Sequence, residues 1–170
     1  SLIEYITLNK NVLDNMAGAI QSMGLEQRTD LFSELGTSGS AIKEQTIVNI
    51  MGFKDVKNIN KYLLIQQSIL IGLKEKYYSK LNEEEFKVKF DIIRNNVIIS
   101  EHRSGEPCQE AYESSFTSIH ASYDSGVAWC TGLSMFNGHI GLLCFGRAVV
   151  TTMQALGEAS DSYYACLKQI

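Results

Sequence analysis

The chain has 170 residues and a net charge of −4, with 45% hydrophobic and 20% charged residues, which is typical of a globular protein of one domain. Residues 1–104 carry 13 basic and 13 acidic side chains, whereas residues 105–170 carry two basic and six acidic ones. Because nucleic-acid binding requires clustered Lys and Arg side chains that neutralise phosphates, this distribution argues against a nucleic-acid partner.

The first hundred residues place apolar side chains at three- and four-residue spacing, a pattern that predicts amphipathic helices separated by short polar breaks. The first helix is expected to end at Gly24, and Ser40 is a suitable N-cap for the third. Either Asp55 or Asn58 is expected to open the fourth. The four predicted helices span residues 11–23, 26–35, 41–51 and about 55–78.

A fifth helix is predicted after Asn82, a residue type that caps helix N-termini. The three glutamates 83–85 follow it, and the helix dipole favours acidic side chains in a first turn. Phe86 and Phe90 would lie on the apolar face of this helix. The run 97–99 is rich in β-branched residues, so a short extended segment is an alternative there.

Residues 100–106 are polar, contain Gly105 and precede Pro107, the only proline in the chain. Proline suits the first turn of a new helix. We therefore predict a boundary here between an N-terminal helical bundle portion, residues 1–104, and a C-terminal portion, residues 105–170, packed together as one unit.

All four cysteines lie in the C-terminal portion, and no two of them form a C-x-x-C pair. This spacing argues against a zinc ribbon or a thioredoxin-type site. An even number of widely spaced cysteines favours disulfides and an oxidising compartment, although four buried thiols in a cytosolic protein are the alternative. We expect an exported protein (periplasmic, cell-surface or secreted) whose leader has been removed before Ser1.

The cysteine spacing predicts the pairing. Cys108 and Cys130 are 22 positions apart, as are Cys144 and Cys166, so each pair falls on one helical stripe. Cys130 and Cys144 have their midpoint at residue 137, and so do Cys108 and Cys166. Residues 137–138 are Asn-Gly, a pair that favours a chain reversal. Of three possible connectivities, Cys108–Cys166 with Cys130–Cys144 fits this symmetry. The sequence therefore predicts an all-α fold, a multi-helix bundle with a C-terminal disulfide-stapled antiparallel helical hairpin.

The hairpin must bring its two helices unusually close, because a disulfide joins Cα atoms roughly 4.4–6.8 Å apart. Small side chains at three- and four-residue spacing are expected to form this contact. The predicted contact residues are Ser115, Ile119, Ser122 and Gly126 on the first helix and Ala148, Thr151, Ala155, Ala159 and Ser162 on the second.

A local pattern accompanies the cysteines. Cys108 and Tyr112 are followed by Tyr123 and by the run Gly-Val-Ala-Trp-Cys at 126–130, and then by an apolar helix rich in Ala, Val and Thr that ends in a cysteine. This C-terminal third resembles small exported helical proteins of Bacteroidetes-type bacteria. The resemblance implies export and carries no activity to transfer.

Candidate catalytic residues are few. His120, with Glu113 and Asp124 at helical spacing, lacks a third metal ligand, and the H-E-x-x-H motif is absent. A small hydrolase that uses His120 with a carboxylate is one alternative, and a hydrogen-bonded or solvated histidine is the simpler interpretation. His102 lies in a polar linker and is expected to be exposed, whereas His139 lies near the turn, where it could cap a helix. We predict no metal, no cofactor and no small-molecule ligand.

The hairpin tip is the strongest candidate for a functional surface, because residues 125–146 contain no Asp, Glu, Lys or Arg. Its apolar side chains either pack on the front helices or form a surface that docks a protein partner or a membrane. The leading expectation is an exported non-catalytic interaction or structural module, such as a subunit of an envelope or extracellular assembly, with a protein partner or self-association. A secreted membrane-active or toxin-like protein is the alternative. The residues predicted to contact a partner are Trp129, Leu133, Met135, Phe136, Ile140, Leu143 and Phe145.

Overall fold

The computed structural model describes residues 1–36, 41–77, 80–99 and 106–169. Within these ranges the chain forms seven α-helices and no strand, which confirms the predicted all-α class. The helices are α1 (Leu2–Ser22), α2 (Leu25–Gly36), α3 (Ala41–Ile50), α4 (Val56–Tyr77), α5 (Glu83–Ile99), α6 (Pro107–Phe136) and α7 (Gly138–Leu167).

The predicted hairpin is confirmed. α6 and α7 are each 30 residues long and are separated by Asn137, which is the C-cap of α6. The disulfide Cys108–Cys166 joins their open ends with a Cα separation of 5.7 Å, and Cys130–Cys144 joins them near the turn at 5.3 Å. Two disulfides indicate an oxidising, extracytoplasmic environment.

Small residues allow this close approach only along part of the predicted contact. A Cβ atom placed on Gly126 would lie 3.3 Å from Cβ of Ala148, so the helices are in close contact there. Ala159 is buried as predicted. The remaining prediction was partly wrong, because four of the residues predicted to lie in the contact face solvent. These exposed residues are Ser115, Ser122, Thr151 and Ser162.

The first helix starts nine residues earlier than its predicted start at residue 11. Ser1 and Glu4 form a capping box, in which Ser1 Oγ accepts a hydrogen bond from the Glu4 backbone N–H at 3.2 Å. The added turns bury Tyr5 and Ile6. α1 therefore runs through the middle of the bundle and contributes buried residues along most of its length.

The other caps agree with the sequence where they lie in the described ranges. The Asp55 carboxylate accepts from the Asn58 backbone N–H at 3.0 Å at the start of α4. Asn82 and Glu85 cap the start of α5 reciprocally, both at 2.9 Å. The run 97–99 is helical rather than extended, because Ile98 packs into the core. The predicted cap Ser40 lies outside the described residues.

One hydrophobic core contains side chains from both predicted portions of the chain. Met16 and Ile20 of α1 pack in the same cluster as Val127 of α6 and as Phe145 and Met153 of α7. The predicted boundary near residue 104 itself lies outside the described residues. The hairpin thus supplies part of the core on which the N-terminal helices pack.

The first turn of α7 contains a glycine, Gly141, with no space for a side chain. A Cβ atom on Gly141 would lie 2.6 Å from Cα and 2.9 Å from N of Ser134, which are backbone atoms of α6. We expect Gly141→Ala to lower the free energy of unfolding by roughly 1–3 kcal/mol, because the helices must separate beside the Cys130–Cys144 bridge. Denaturant unfolding measures this loss.

Gly146→Ala is the matched control, since a Cβ atom there meets nothing within 4 Å. Replacing glycine with alanine inside a helix stabilises by about 0.5–1 kcal/mol when no contact opposes it. Equal effects of the two substitutions would contradict the close contact at Gly141.

Candidate functional site

Five large apolar side chains are exposed around the hairpin turn, and together we call them the tip surface. Phe136 is 92% exposed, Trp129 70% and Leu143 59%. Monomeric proteins rarely expose large apolar side chains as a group, and such groups mark interaction sites. The tip surface consists of Trp129, Met135, Phe136, Ile140 and Leu143.

Two of the residues predicted to contact a partner do not belong to the tip surface. Phe145 is only 1% exposed, and its ring centroid lies 5.8 Å from that of Tyr62 on α4. Leu133 is half-buried. Phe145 points inward because it follows Cys144 on the face of α7 that packs on the core, so one tip aromatic anchors the hairpin while the others face outward.

The inner disulfide holds the tip surface together. Trp129 and Leu143 each directly precede a bridged cysteine, and the Cα atoms of Cys130 and Cys144 are 5.3 Å apart. The two exposed side chains are therefore carried by one rigid pair of helices. The surface spans both helices of the hairpin and is preorganised for contact.

A groove of about 690 Å³ continues the tip surface toward α4. Met135 belongs to both features, and exposed Ile71 of α4 lies on the opposite wall. Lys74 and Glu75 provide charged groups beside an otherwise apolar lining. The remaining lining residues are Leu70, Ala128 and Gly132. The groove adds an apolar depression with a charged border to the exposed tip.

A second feature is a buried polar network centred on Asp124. The Asp124 carboxylate accepts hydrogen bonds from Asn9 Nδ2 at 2.6 Å and from Arg94 Nε at 3.0 Å. Arg94 also donates to Asp91 at 2.6 Å. Burial raises the pKa of Asp124 to about 6, and the two donors act against this increase. The network joins α6 to α1 and α5.

Asn9 extends the network to α4. Its side-chain oxygen accepts hydrogen bonds from Tyr62 Oη and from Gln66 Nε2, the latter at 2.6 Å. The Tyr5 hydroxyl donates to the backbone carbonyl of Asp124 at 2.7 Å. Burial raises the pKa of both tyrosines, so their hydroxyls remain protonated donors. These contacts fix the positions of α1, α4 and α6 relative to one another.

His120 is fully buried beside this network. Its Nε2 atom lies 3.6 Å from Oδ1 of Asp124, so the predicted proximity of these two residues is present. Burial and then the positive charge of Arg94 lower the pKa of His120 to about 3. In the described part of the chain, no three His, Cys, Asp or Glu side chains are placed to share a metal ion. His102 and the His139 side chain lie outside that part.

No known family model matches this chain, and neither a curated protein nor a solved structure matches it.

Among the described residues, none of the helices has an apolar stretch of the length and hydropathy needed to span a membrane.

Proposed function

We propose that this protein is a non-catalytic, extracytoplasmic binding module that docks a partner protein through its tip surface. The exposure of Trp129, Phe136 and Leu143 on a disulfide-braced hairpin is the observation that carries the proposal. Its location would be periplasmic, cell-surface or secreted, in agreement with the two disulfides. It would act there as a subunit of an envelope or extracellular assembly.

The chemistry of the tip surface resembles the centre of a protein interface. Such centres are depleted of charged side chains and enriched in Trp, Phe and Met, and a few aromatic residues provide most of the binding free energy. Residues 125–146 contain no Asp, Glu, Lys or Arg. Lys74 and Glu75 beside the groove supply the polar border that interfaces usually have.

A lipid surface is the second candidate partner. Trp129 and Phe136 are residue types that insert at membrane interfaces, and the absence of charge in the turn favours that use. The hydrolase alternative receives no comparable support, because His120 is fully buried and its imidazole has little basicity.

The experiment compares the wild-type protein with the triple variant Trp129→Ser, Phe136→Ser, Leu143→Ser. Both are used to capture partners from extracellular and envelope fractions of the source organism, and the affinity for each purified partner is then measured. We expect the triple variant to bind at least about 10-fold more weakly, since interface anchors typically contribute more than 1 kcal/mol each. Sedimentation of each protein alone tests self-association.

The matched control is Val88→Ser, Ile92→Ser on α5, which removes exposed apolar side chains outside the tip surface. It should bind as the wild type does. Equal loss in both variants, or a partner retained by the triple variant, would refute docking through the tip. Tip-dependent co-sedimentation with neutral or anionic liposomes, without a protein partner, would favour the lipid surface instead.

A further inference from the structure

Asp124 connects the hairpin by hydrogen bonds to both α1 and α5. Its carboxylate accepts hydrogen bonds from the side chains of Asn9 and Arg94, and its backbone carbonyl accepts one from the hydroxyl of Tyr5. The carboxylate is only 1% exposed. Any change in its protonation therefore changes a charge that water does not screen.

His120 lies one helical turn before Asp124 on α6. Its Nε2 atom is 3.6 Å from Oδ1 of Asp124, slightly beyond hydrogen-bond distance. Neither ring nitrogen has a normal hydrogen-bond partner among the described residues. A neutral imidazole has one nitrogen that accepts a hydrogen bond, and a buried acceptor without a donor is unfavourable. A single proton between these two atoms would satisfy both groups.

We propose that Asp124 and His120 form a buried proton-binding site, which takes up one proton between Oδ1 and Nε2 in the folded protein at mildly acidic pH. The proton converts the 3.6 Å contact into a hydrogen bond. Carboxylic acid with imidazole and carboxylate with imidazolium have the same composition, so the pair titrates as a unit. The charge of the pair changes from −1 to 0, and Arg94 keeps Asp91 as a partner.

Burial favours the first proton against the opposing effect of Asn9 and Arg94, and burial together with nearby positive charge opposes a second. Burial raises the pKa of Asp124 to about 6. Burial, Arg94 and Lys10 together lower the pKa of His120 to about 3, and the nearby Ile6 backbone acts against them. The titratable and charged groups that face the pair are Tyr5 and Lys10 on α1, Tyr62 on α4, Arg94 with Asp91 on α5, and Tyr123 on α6.

The two shifts have opposite effects on folding. In the unfolded chain, with the ordinary values of 6.5 and 3.8, His120 binds a proton below pH 6.5 and Asp124 binds one only near pH 4. The folded pair binds its one proton near pH 6. Both states therefore carry one proton between about pH 6 and 4, and the pair makes the folding equilibrium nearly independent of pH in that range.

Replacing either residue should make folding stability depend on pH through the residue that remains. The two single variants should change with pH in opposite directions. In His120→Leu, the folded-state pKa of Asp124 stays above 3.8, so the folding equilibrium constant should rise up to roughly 100-fold relative to wild type between pH 7 and 4. In Asp124→Asn, the folded-state pKa of His120 stays below 6.5, so the constant should fall roughly 100-fold. Denaturant unfolding at four pH values measures both.

Glu84→Gln, an exposed acid on α5, is the control and should reproduce the wild-type pH profile. An NMR titration of the wild-type protein tests the same proposal if a buried substitution prevents folding. We expect the Asp124 carboxyl carbon and the His120 ring nitrogens to shift together, with one midpoint near pH 6. Parallel pH profiles of both variants, or an Asp124 signal that is constant from pH 7.5 to 4.5, would overturn the proposal.

Discussion

Replacing Arg94 with methionine is expected to lower the free energy of unfolding by about 3–5 kcal/mol at pH 7.5. Methionine retains an apolar stem near the Phe90 ring, over which the guanidinium lies at 4.5 Å. The positive charge that faces Asp124 is lost. The Asp124 carboxylate is 1% exposed. Among the described residues, only the side chain of Asn9 then still donates a hydrogen bond to it. Such an uncompensated buried charge is more unfavourable than the intact pair is favourable.

The loss should be smaller at pH 5 than at pH 7.5. Without Arg94, the folded-state pKa of Asp124 lies further above its ordinary 3.8, because Arg94 lowers it in the wild type. A group with a raised folded-state pKa stabilises the protein at low pH, and this stabilisation is lost as the pH rises through that pKa. Urea unfolding at the two pH values checks the sign.

The double variant Arg94→Met, Asp124→Leu should recover most of the stability, because it replaces both partners of a buried pair with apolar groups. Lys87→Met on the exposed side of α5 is the control, with an expected change within about 0.5 kcal/mol. A similar result for Lys87→Met and Arg94→Met would mean that the network contributes little to stability.

The hairpin was predictable because its constraints are local and repeated. Two cysteine pairs at one spacing, a shared midpoint and an Asn-Gly pair define two helices and their pairing without reference to the rest of the chain. Its contact stripe was less predictable, since Ser115 and Thr151 satisfy the spacing yet face solvent. Spacing alone locates a face within about one helical position, whereas the contact itself depends on the crossing of the helices.

The tip surface was predictable from composition only as an apolar, uncharged segment. Which of its residues are exposed depends on where α4 lies, and that position is a tertiary property. Phe145 packs on Tyr62, whereas Phe136 faces solvent, although both are phenylalanines in the same segment. Phe145 and Val149 are four residues apart, so they lie on the same face of α7, and both are buried. This spacing is the signal that could have distinguished Phe145 from Phe136.

The buried network was missed because its members look like surface residues in the sequence. Asn9 and Asp124 are 115 positions apart, and Arg94 belongs to a third helix. The available signal was positional: Asn9 lies at helical spacing from Tyr5 and Leu13, on a mostly apolar face of α1. A polar residue on such a face predicts a buried partner but does not identify it.

Removal of the outer disulfide by Cys108→Ala, Cys166→Ala is expected to lower the free energy of unfolding by about 4 kcal/mol. The bridge spans 58 residues, against 14 for Cys130–Cys144, whose removal should cost about 3 kcal/mol by the same chain-entropy argument. Gly126 and Ala148 are small residues where the two helices come close, so the direct contact between them contributes little hydrophobic stabilisation beside the bridges. Thermal melts with and without reductant check this, and an unchanged melt with four titratable thiols would contradict it.

The two disulfides should also differ in what they do for binding. The outer bridge lies at the far end of the hairpin from the tip surface, so its removal should increase amide hydrogen exchange around Cys108 and Cys166 and leave partner affinity unchanged. The inner bridge fixes Trp129 relative to Leu143, and Cys130→Ala, Cys144→Ala should weaken the same partner although it destabilises the fold less. If binding instead follows overall stability, and the outer variant loses more affinity than the inner one, the tip is not the docking surface.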